Sequence, residues 1–364
     1  MCGDGHMNFR ITTQSNRPQH FFTIHWNVGK RCNYDCAYCP DNLHDYTSKH
    51  RSLESFQEIF RKIEPEIPSN LDIKIWFTGG EPTINPNFLP FVKWLKTEYP
   101  DRARNLGLNS NGSRLPKYYK ELSEWVEKIQ FSSHFGFLKL DKFKDVLSAL
   151  PLKKFSVNLM AEPEYWDTVQ NIVEFCEERQ INHHIKRIRT KSTWDSDNRK
   201  YDPFYTSEQI QWLENREHAQ SYDEIGERFD QPDMLAYYNE VDEPKEEWAN
   251  NMITRQEDDF NGWLCGIGLE GCQIDQYGNI QRGVCKIGGS YANIEDKKIT
   301  LPRNFVTCTK IRCSCVADNK CTRYKDDKTR KQMQPEVMYH IQKQLSESKR
   351  IGKRKVSILD KYNY

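Results

Sequence analysis

Phe21-Phe22-Thr23-Ile24-His25-Trp26-Asn27-Val28, followed closely by Cys32-Asn33-Tyr34-Asp35-Cys36-Ala37-Tyr38-Cys39-Pro40, is the stretch that decides the fold. The first run is aromatic and β-branched and reads as a strand, so the three cysteines fall in the loop that leaves it. Residues 51–63, RSLESFQEIFRKI, then place Leu53, Phe56, Ile59, Phe60 and Ile63 on one helical face. IKIWFTGG (73–80) is strand-like, NFLPFVKWLKTEY (87–99) helical, NLGLNSNG (105–112) strand-like and KYYKELSEWVEKI (117–129) helical. The exchange continues through KIQFSSHF, DKFKDVLSAL, KKFSVNLM, EYWDTVQNIVEFCEER and HHIKRIRT, which completes six strands with helices between them. Strands alternating with helices imply a parallel sheet with right-handed crossovers, and six units suit an open or partial barrel. Ligands in such folds sit where strands lead into helices. The cysteine loop, Gly79-Gly80-Glu81-Pro82 and Asn109-Ser110-Asn111-Gly112 all fall at those ends.

The 53 Lys and Arg balance 52 Asp and Glu to a net charge of +1, which gives no global pull toward nucleic acid or an anionic membrane. No apolar run approaches the roughly 20 residues of a membrane span, and the N-terminus lacks the apolar stretch of a signal peptide. The expected location is the cytoplasm, without nucleic-acid or membrane partners. Twelve cysteines in a reducing compartment argue for metal over disulfides. Ten form two groups: Cys32, Cys36 and Cys39, and then Cys265, Cys272, Cys285, Cys308, Cys313, Cys315 and Cys321. Cys2 and Cys176 stand apart, and Cys176 shares a helical face with Trp166, Val169, Ile172 and Val173, which marks it as core. Five segments follow: an N-terminal extension (1–20), the barrel (21–205), an acidic linker or lid (206–260), a cysteine-rich domain (261–325) and a C-terminal helix with a basic tail (326–364). The acidic segment is read from residues 221–260, where thirteen Asp and Glu face three Lys and Arg.

Three thiolates from one short loop can hold three irons of a 4Fe-4S cube and leave the fourth iron open to a substrate. A zinc site would want a fourth nearby ligand, and this loop has none. Cys32, Cys36, Tyr38 and Cys39, with Gly79, Gly80, Glu81 and Pro82 after the next strand, resemble the cluster and glycine motifs of the radical S-adenosylmethionine (SAM) superfamily. The resemblance covers about residues 20–192. It implies an α/β partial (β/α)6 radical SAM barrel, a 4Fe-4S cluster with one open iron that chelates SAM, and a 5′-deoxyadenosyl radical that abstracts hydrogen from substrate. It also implies an external electron donor of flavodoxin or ferredoxin type. By the same resemblance the backbone and carboxylate of Gly79 to Pro82 receive the SAM ammonium, and Tyr38 contacts adenine. Asn109, Ser110, Ser132, His134, Asn158 and Arg189 lie where the ribose and the methionyl carboxylate are met. Lys186 and Arg187, in the run HHIKRIRTK, are candidates for binding a substrate anion.

The seven later cysteines resemble the C-terminal auxiliary iron-sulfur extension of that superfamily, called SPASM with two clusters and twitch with one. Asp275, Gly278, Asn279 and Ile280 resemble the hairpin that begins its first site. The match is incomplete: the family's Cys-x2-Cys-x5-Cys-x3-Cys run is here Cys313-x-Cys315-x5-Cys321 with nothing following. Two cubes need eight cysteines and seven are present, so the expectation is one or two auxiliary clusters, with a spare thiol available as a hydrogen donor to a substrate radical. The resulting expectation is a radical SAM oxidoreductase or epimerase acting on a small polar metabolite of sugar or aminocyclitol type. A maturase of a ribosomally made peptide is the second reading. A non-catalytic zinc-binding protein is the third.

Overall fold

The computed structural model describes residues 9–11, 21–69, 71–188, 205–216, 234–237, 245–247, 249–254, 257–313, 315–327 and 331. After β1 (Phe9–Ile11), six strands follow in chain order: β2 (Phe21–Asn27), β3 (Asp72–Thr78), β4 (Asn105–Ser110), β5 (Lys128–Ser133), β6 (Phe155–Ala161) and β7 (His183–Arg187). Between them run α1 (Leu53–Ile63), α2 (Phe88–Glu98), α3 (Pro116–Trp125), α4 (Leu140–Ser148) and α5 (Trp166–Glu178). Each strand pairs in parallel with the next, and the spatial order equals the chain order. A right-handed crossover repeated without reversal keeps the helices on one face, which distinguishes a partial barrel from a doubly wound sheet.

The alternation in the sequence is the cause of this layering. On β3, β5 and β6 every second residue is buried, and Ile73, Ile75, Phe77, Ile129, Phe131, Val157 and Leu159 join the helices in one core. On α1 the buried residues are Phe56, Ile59, Phe60 and Ile63, each contributing about 1.5–3 kcal/mol of apolar burial. Trp26, Phe56, Phe77 and Phe91 interlock with ring centroids 4.8–6.0 Å apart, which ties α1 and α2 to β2 and β3. The Ser52 side chain caps α1 by accepting from the Ser55 amide at 3.2 Å. The other strand face carries the half-buried polar set. Its register aligns Ser132 with Asn158, Asn158 with His184, and Met160 with Lys186.

α6 (Ser207–Glu214) belongs to the barrel layer: Leu213 is in the same core, and Trp212 meets Trp166 edge to face at 5.2 Å. The segment expected as linker or lid carries strands β8 (Met234–Tyr237) and β9 (Lys245–Glu247) and the short helix α7 (Ala249–Thr254). The cysteine-rich region supplies β10 (Leu264–Cys265), β11 (Gly271–Ile274), β12 (Asn279–Gln281), β13 (Ser290–Asn293), β14 (Val306–Thr307), the single turn α8 (Val316–Asn319) and β15 (Arg323–Tyr324). Two sheets result. The first has nine strands in the order β13-β12-β11-β2-β3-β4-β5-β6-β7, with β11 parallel to β2. The second runs β14-β10-β15-β1-β8-β9, so residues 9–11 and the acidic segment join the cysteine-rich region in one sheet. Unpaired strand edges leave backbone groups without partners, and these short segments satisfy one another. The helix expected at PEVMYHIQKQL and the basic tail lie outside the described residues.

Candidate active site

The cysteine loop leaves the C-terminal end of β2 and is held by backbone from both sides. The Cys32 amide donates to the Asp45 carbonyl at 2.8 Å, and the Asp45 amide donates to the Lys30 carbonyl at 2.9 Å. From the next strand, the Gly80 amide donates to the Gly29 carbonyl and the Glu81 amide to the Arg31 carbonyl. This contact explains the two glycines. A Cβ on Gly79 would stand 2.6 Å from the Gly29 carbonyl oxygen, and one on Gly80 would overlap the carbonyl oxygens of Lys30 and Arg31. Gly79 also has φ +119°, a backbone that side chains rarely tolerate. The pair therefore lets the loop after β3 lie directly on the loop that carries Cys32.

Glu81 is 3% exposed, and its carboxylate is already engaged. It accepts from the Thr83 amide and hydroxyl, from the Ser110 hydroxyl at 3.0 Å and from the Asn111 amide at 2.6 Å. Burial pushes its pKa up while these donors pull it down. The side chain thus clasps β3 to β4. Pro82 is buried and opens the short 3-10 turn that follows. Ser110 faces the same interior, 2.8 Å from the Tyr119 hydroxyl. Asn109 accepts from the Trp76 indole at 3.0 Å. Asn111, part of that strand-end motif but given no role by the sequence, donates through its side-chain amide to Asn33 at 2.9 Å and fastens β4 to the cysteine loop.

Across the strand ends, Tyr38 and His134 meet. The Tyr38 hydroxyl is 2.6 Å from His134 Nδ1 and donates to Glu162 Oε1 at 3.1 Å, and the two rings stack at 5.9 Å. A carboxylate acceptor at one end assigns the chain as His134 Nδ1–H to Tyr38 oxygen and Tyr38 O–H to Glu162. Glu162 also accepts from the Phe135 amide at 2.6 Å and is 7% exposed. No motif marks it; its position one residue past β6 is the only signal in the sequence. Burial lowers the His134 pKa to about 4 and raises those of Glu162 and Tyr38. Tyr34 stacks on Phe137 at 5.4 Å beside them.

Ser132, Asn158 and Lys186 share the polar strand face, where Gln130 donates to the Asn158 side chain at 3.3 Å. Arg187 does not: its register partner is Ala161, on the buried face, so strand alternation separates it from Lys186. Arg189 lies outside the described residues. The cysteine-rich region reaches this sheet as well, since β11 pairs with β2 and sets Gln273 opposite His25.

Cys36 is buried and Cys32 and Cys39 are half-buried, and none of the three is in a disulfide. Burial pushes Cys32 to about 11 and Cys36 to about 12, and the neighbouring cysteines raise Cys36 further. Three soft donors on one short loop suit an iron-sulfur cluster, so the donor set fits. Among the described residues, no three His, Cys, Asp or Glu side chains converge on a point that would hold a single metal ion.

The later cysteines divide. Cys265, Cys308 and Cys313 lie in one buried cluster with Phe260, Ile267 and Ile287, and Cys285 and Cys321 pack against it. Cys272 sits on β11 in the barrel core beside Tyr291, away from this group. Among the five is Arg323, 2% exposed, donating to Cys313 Sγ at 3.0 Å and to the carbonyls of Asp318, Asn319 and Cys321. Burial pushes the Cys265 and Cys321 thiols up, and the Arg323 guanidinium offsets this only in part. Cys176 is fully buried in the helical layer, as its spacing predicts.

The family model of the radical SAM superfamily matches residues 26–135, the stretch that runs from the end of β2 through the cysteine loop to the end of β5. Among curated proteins it is 34% identical over 136 residues to a GTP 3′,8-cyclase of Nautilia profundicola, covering 37% of this chain and 40% of that protein. A GTP 3′,8-cyclase of Campylobacter curvus is 36% identical over 99 residues, covering 27% of this chain and 30% of that one. The chain thus spans well under half the length of these relatives. Among solved structures, native anSMEcpe with bound AdoMet aligns at TM-score 0.49 and 13% identity, covering 77% of this chain and 79% of that one.

Proposed function

We propose that this protein is a radical SAM enzyme that abstracts hydrogen from a small polar metabolite of sugar or aminocyclitol type, with epimerisation or dehydrogenation as the net change. The observation that carries the reading is the Cys32, Cys36, Cys39 loop, clamped by Gly79 and Gly80 at the C-terminal end of an in-order parallel sheet. Cys32, Cys36 and Cys39 would hold three irons of a 4Fe-4S cluster. When bound, the cluster and SAM supply a 5′-deoxyadenosyl radical, with one electron from a flavodoxin- or ferredoxin-type donor.

The chain's own residues orient and shield. The clamp fixes the thiols relative to the strand ends, and the His134–Tyr38–Glu162 chain holds the loop's aromatic edge over β5 and β6. The polar face, with Ser132, Asn158 and Lys186, offers hydrogen bonds and one cation to a hydroxyl- or carboxylate-bearing molecule. Four of Cys265, Cys285, Cys308, Cys313 and Cys321 would hold one auxiliary cluster of twitch type, and the fifth thiol is then free to donate hydrogen. The curated relatives act on GTP by name, and a nucleotide falls within the same polar small-molecule class.

The test is 5′-deoxyadenosine formation from SAM and dithionite by the reconstituted protein and by Cys36→Ala. Formation by the intact protein and its loss in the variant are expected; a colourless zinc protein that forms none would overturn the reading. Stimulation by panels of sugars and nucleotides, but not by peptides, supports the substrate class. Stimulation by a peptide alone would replace it with the maturase reading.

A further inference from the structure

A second polar site stands on the outer flank of the cysteine loop. A cleft of about 530 Å³ is bounded by residues 28–30 at the end of β2, by the 45–55 segment entering α1, and by Gln276 and Tyr277 of the β11–β12 turn. Its charge is lopsided: Lys30, Lys49 and Arg51 face a single carboxylate, Asp45. Asp45 is already served by the Thr47 amide, by the Ser48 amide and hydroxyl, and by Lys30 at 3.5 Å. Arg51 is pinned in place, its carbonyl accepting from the side chains of Asn85 and Asn87 at 3.2 and 3.1 Å. Among the described residues its guanidinium meets one partner at hydrogen-bond range, the neutral Ser55 Oγ at 3.0 Å, and its buried Nε meets none. Burial disfavours its charge, and Glu295 offsets this only in part. Lys49 is exposed and makes no ion pair among the described residues. The N-terminus of α1 is served by Ser52 and Glu54, so the side-chain cations, not the helix, define the site.

We propose that this cleft binds a phosphate dianion, either free or as the phosphomonoester of a small molecule, through Lys30, Lys49 and Arg51. A guanidinium with an unused N–H, carried on a backbone held by Asn85 and Asn87, and the ammonium groups of Lys49 and of Lys30, which Asp45 shares, match the oxygens and charge of such a group, and Tyr277 lines the same cleft. The site is independent of the radical chemistry proposed above. It does touch the same loop, because Lys30 and Asp45 form the backbone clamp on Cys32.

Isothermal titration of the full reconstituted chain with inorganic phosphate, and separately with ribose 5-phosphate, tests this at constant ionic strength set by chloride. The expected result is saturable binding that Lys49→Ala and Arg51→Gln each weaken by about tenfold. A monoester bound at least tenfold more tightly than phosphate identifies an ester ligand, and equal affinities identify free phosphate. Binding no different from chloride, or unaffected by both substitutions, overturns the proposal. Lys49→Ala removes an exposed side chain and decides the matter alone if Arg51→Gln fails to fold.

Discussion

Glu81 shows how one side chain can tie two strand ends together. Its carboxylate holds donors from Thr83, Ser110 and Asn111, so Glu81→Ala would strand buried N–H and O–H groups at a cost of about 3 kcal/mol, and Glu81→Gln less. Urea midpoints with unchanged slope would check this, and an Ala variant of native stability would contradict it. His134 gives a pH signature. Its folded pKa of about 4 lies below the unfolded value near 6.5, so its contribution is complete above that value and is lost as pH falls from about 6.5 toward 4. The melting temperature should therefore drop less between pH 7 and 5 in His134→Gln than in the parent. Equal drops would place the titration elsewhere. Cysteine spacing and the Gly-Gly-Glu-Pro stretch were legible in the sequence because few other patterns demand those residues. Glu162, Asn111 and the inward turn of Ser110 were not, since partners 27–30 residues away in sequence decide them.

At the scale of elements, the alternation of period-2 and period-3.6 runs was enough to place all six parallel strands and the helices between them, because each half-buried strand and amphipathic helix declares its face locally. Lys186 and Arg187 follow the same rule, neighbours in sequence but on opposite faces of β7. The meeting of the loops after β2 and β3 is the element-level feature that matters most to the site. Gly80→Ala would force those backbones apart, with an expected loss of about 2–4 kcal/mol and of iron at the cysteine loop. Iron analysis and thermal unfolding of that variant test the clamp, and full iron with native stability would show that the close approach is dispensable. Ser52→Ala, which removes only the cap of α1, should cost about 1 kcal/mol and leave iron content unchanged.

At the scale of the whole molecule the sequence was least legible. Short strands such as β1, β8, β10 and β15 carry too few residues to show a period, and their pairing is set by distant chain. The joining of β11 to β2, which extends the barrel sheet into the cysteine-rich region, likewise has no local signal. It has a consequence: the two cysteine groups belong to one continuous framework, yet Cys272 is withdrawn into the barrel core while five others gather around Arg323. Anaerobic iron and sulfide analysis of the reconstituted protein, beside the variant with Cys32, Cys36 and Cys39 all changed to Ala, tests the central claim most directly. The account predicts about eight irons in the parent and about four in the variant, with all 5′-deoxyadenosine formation lost. Zinc in place of iron, or a variant that retains every iron of the parent, would contradict it.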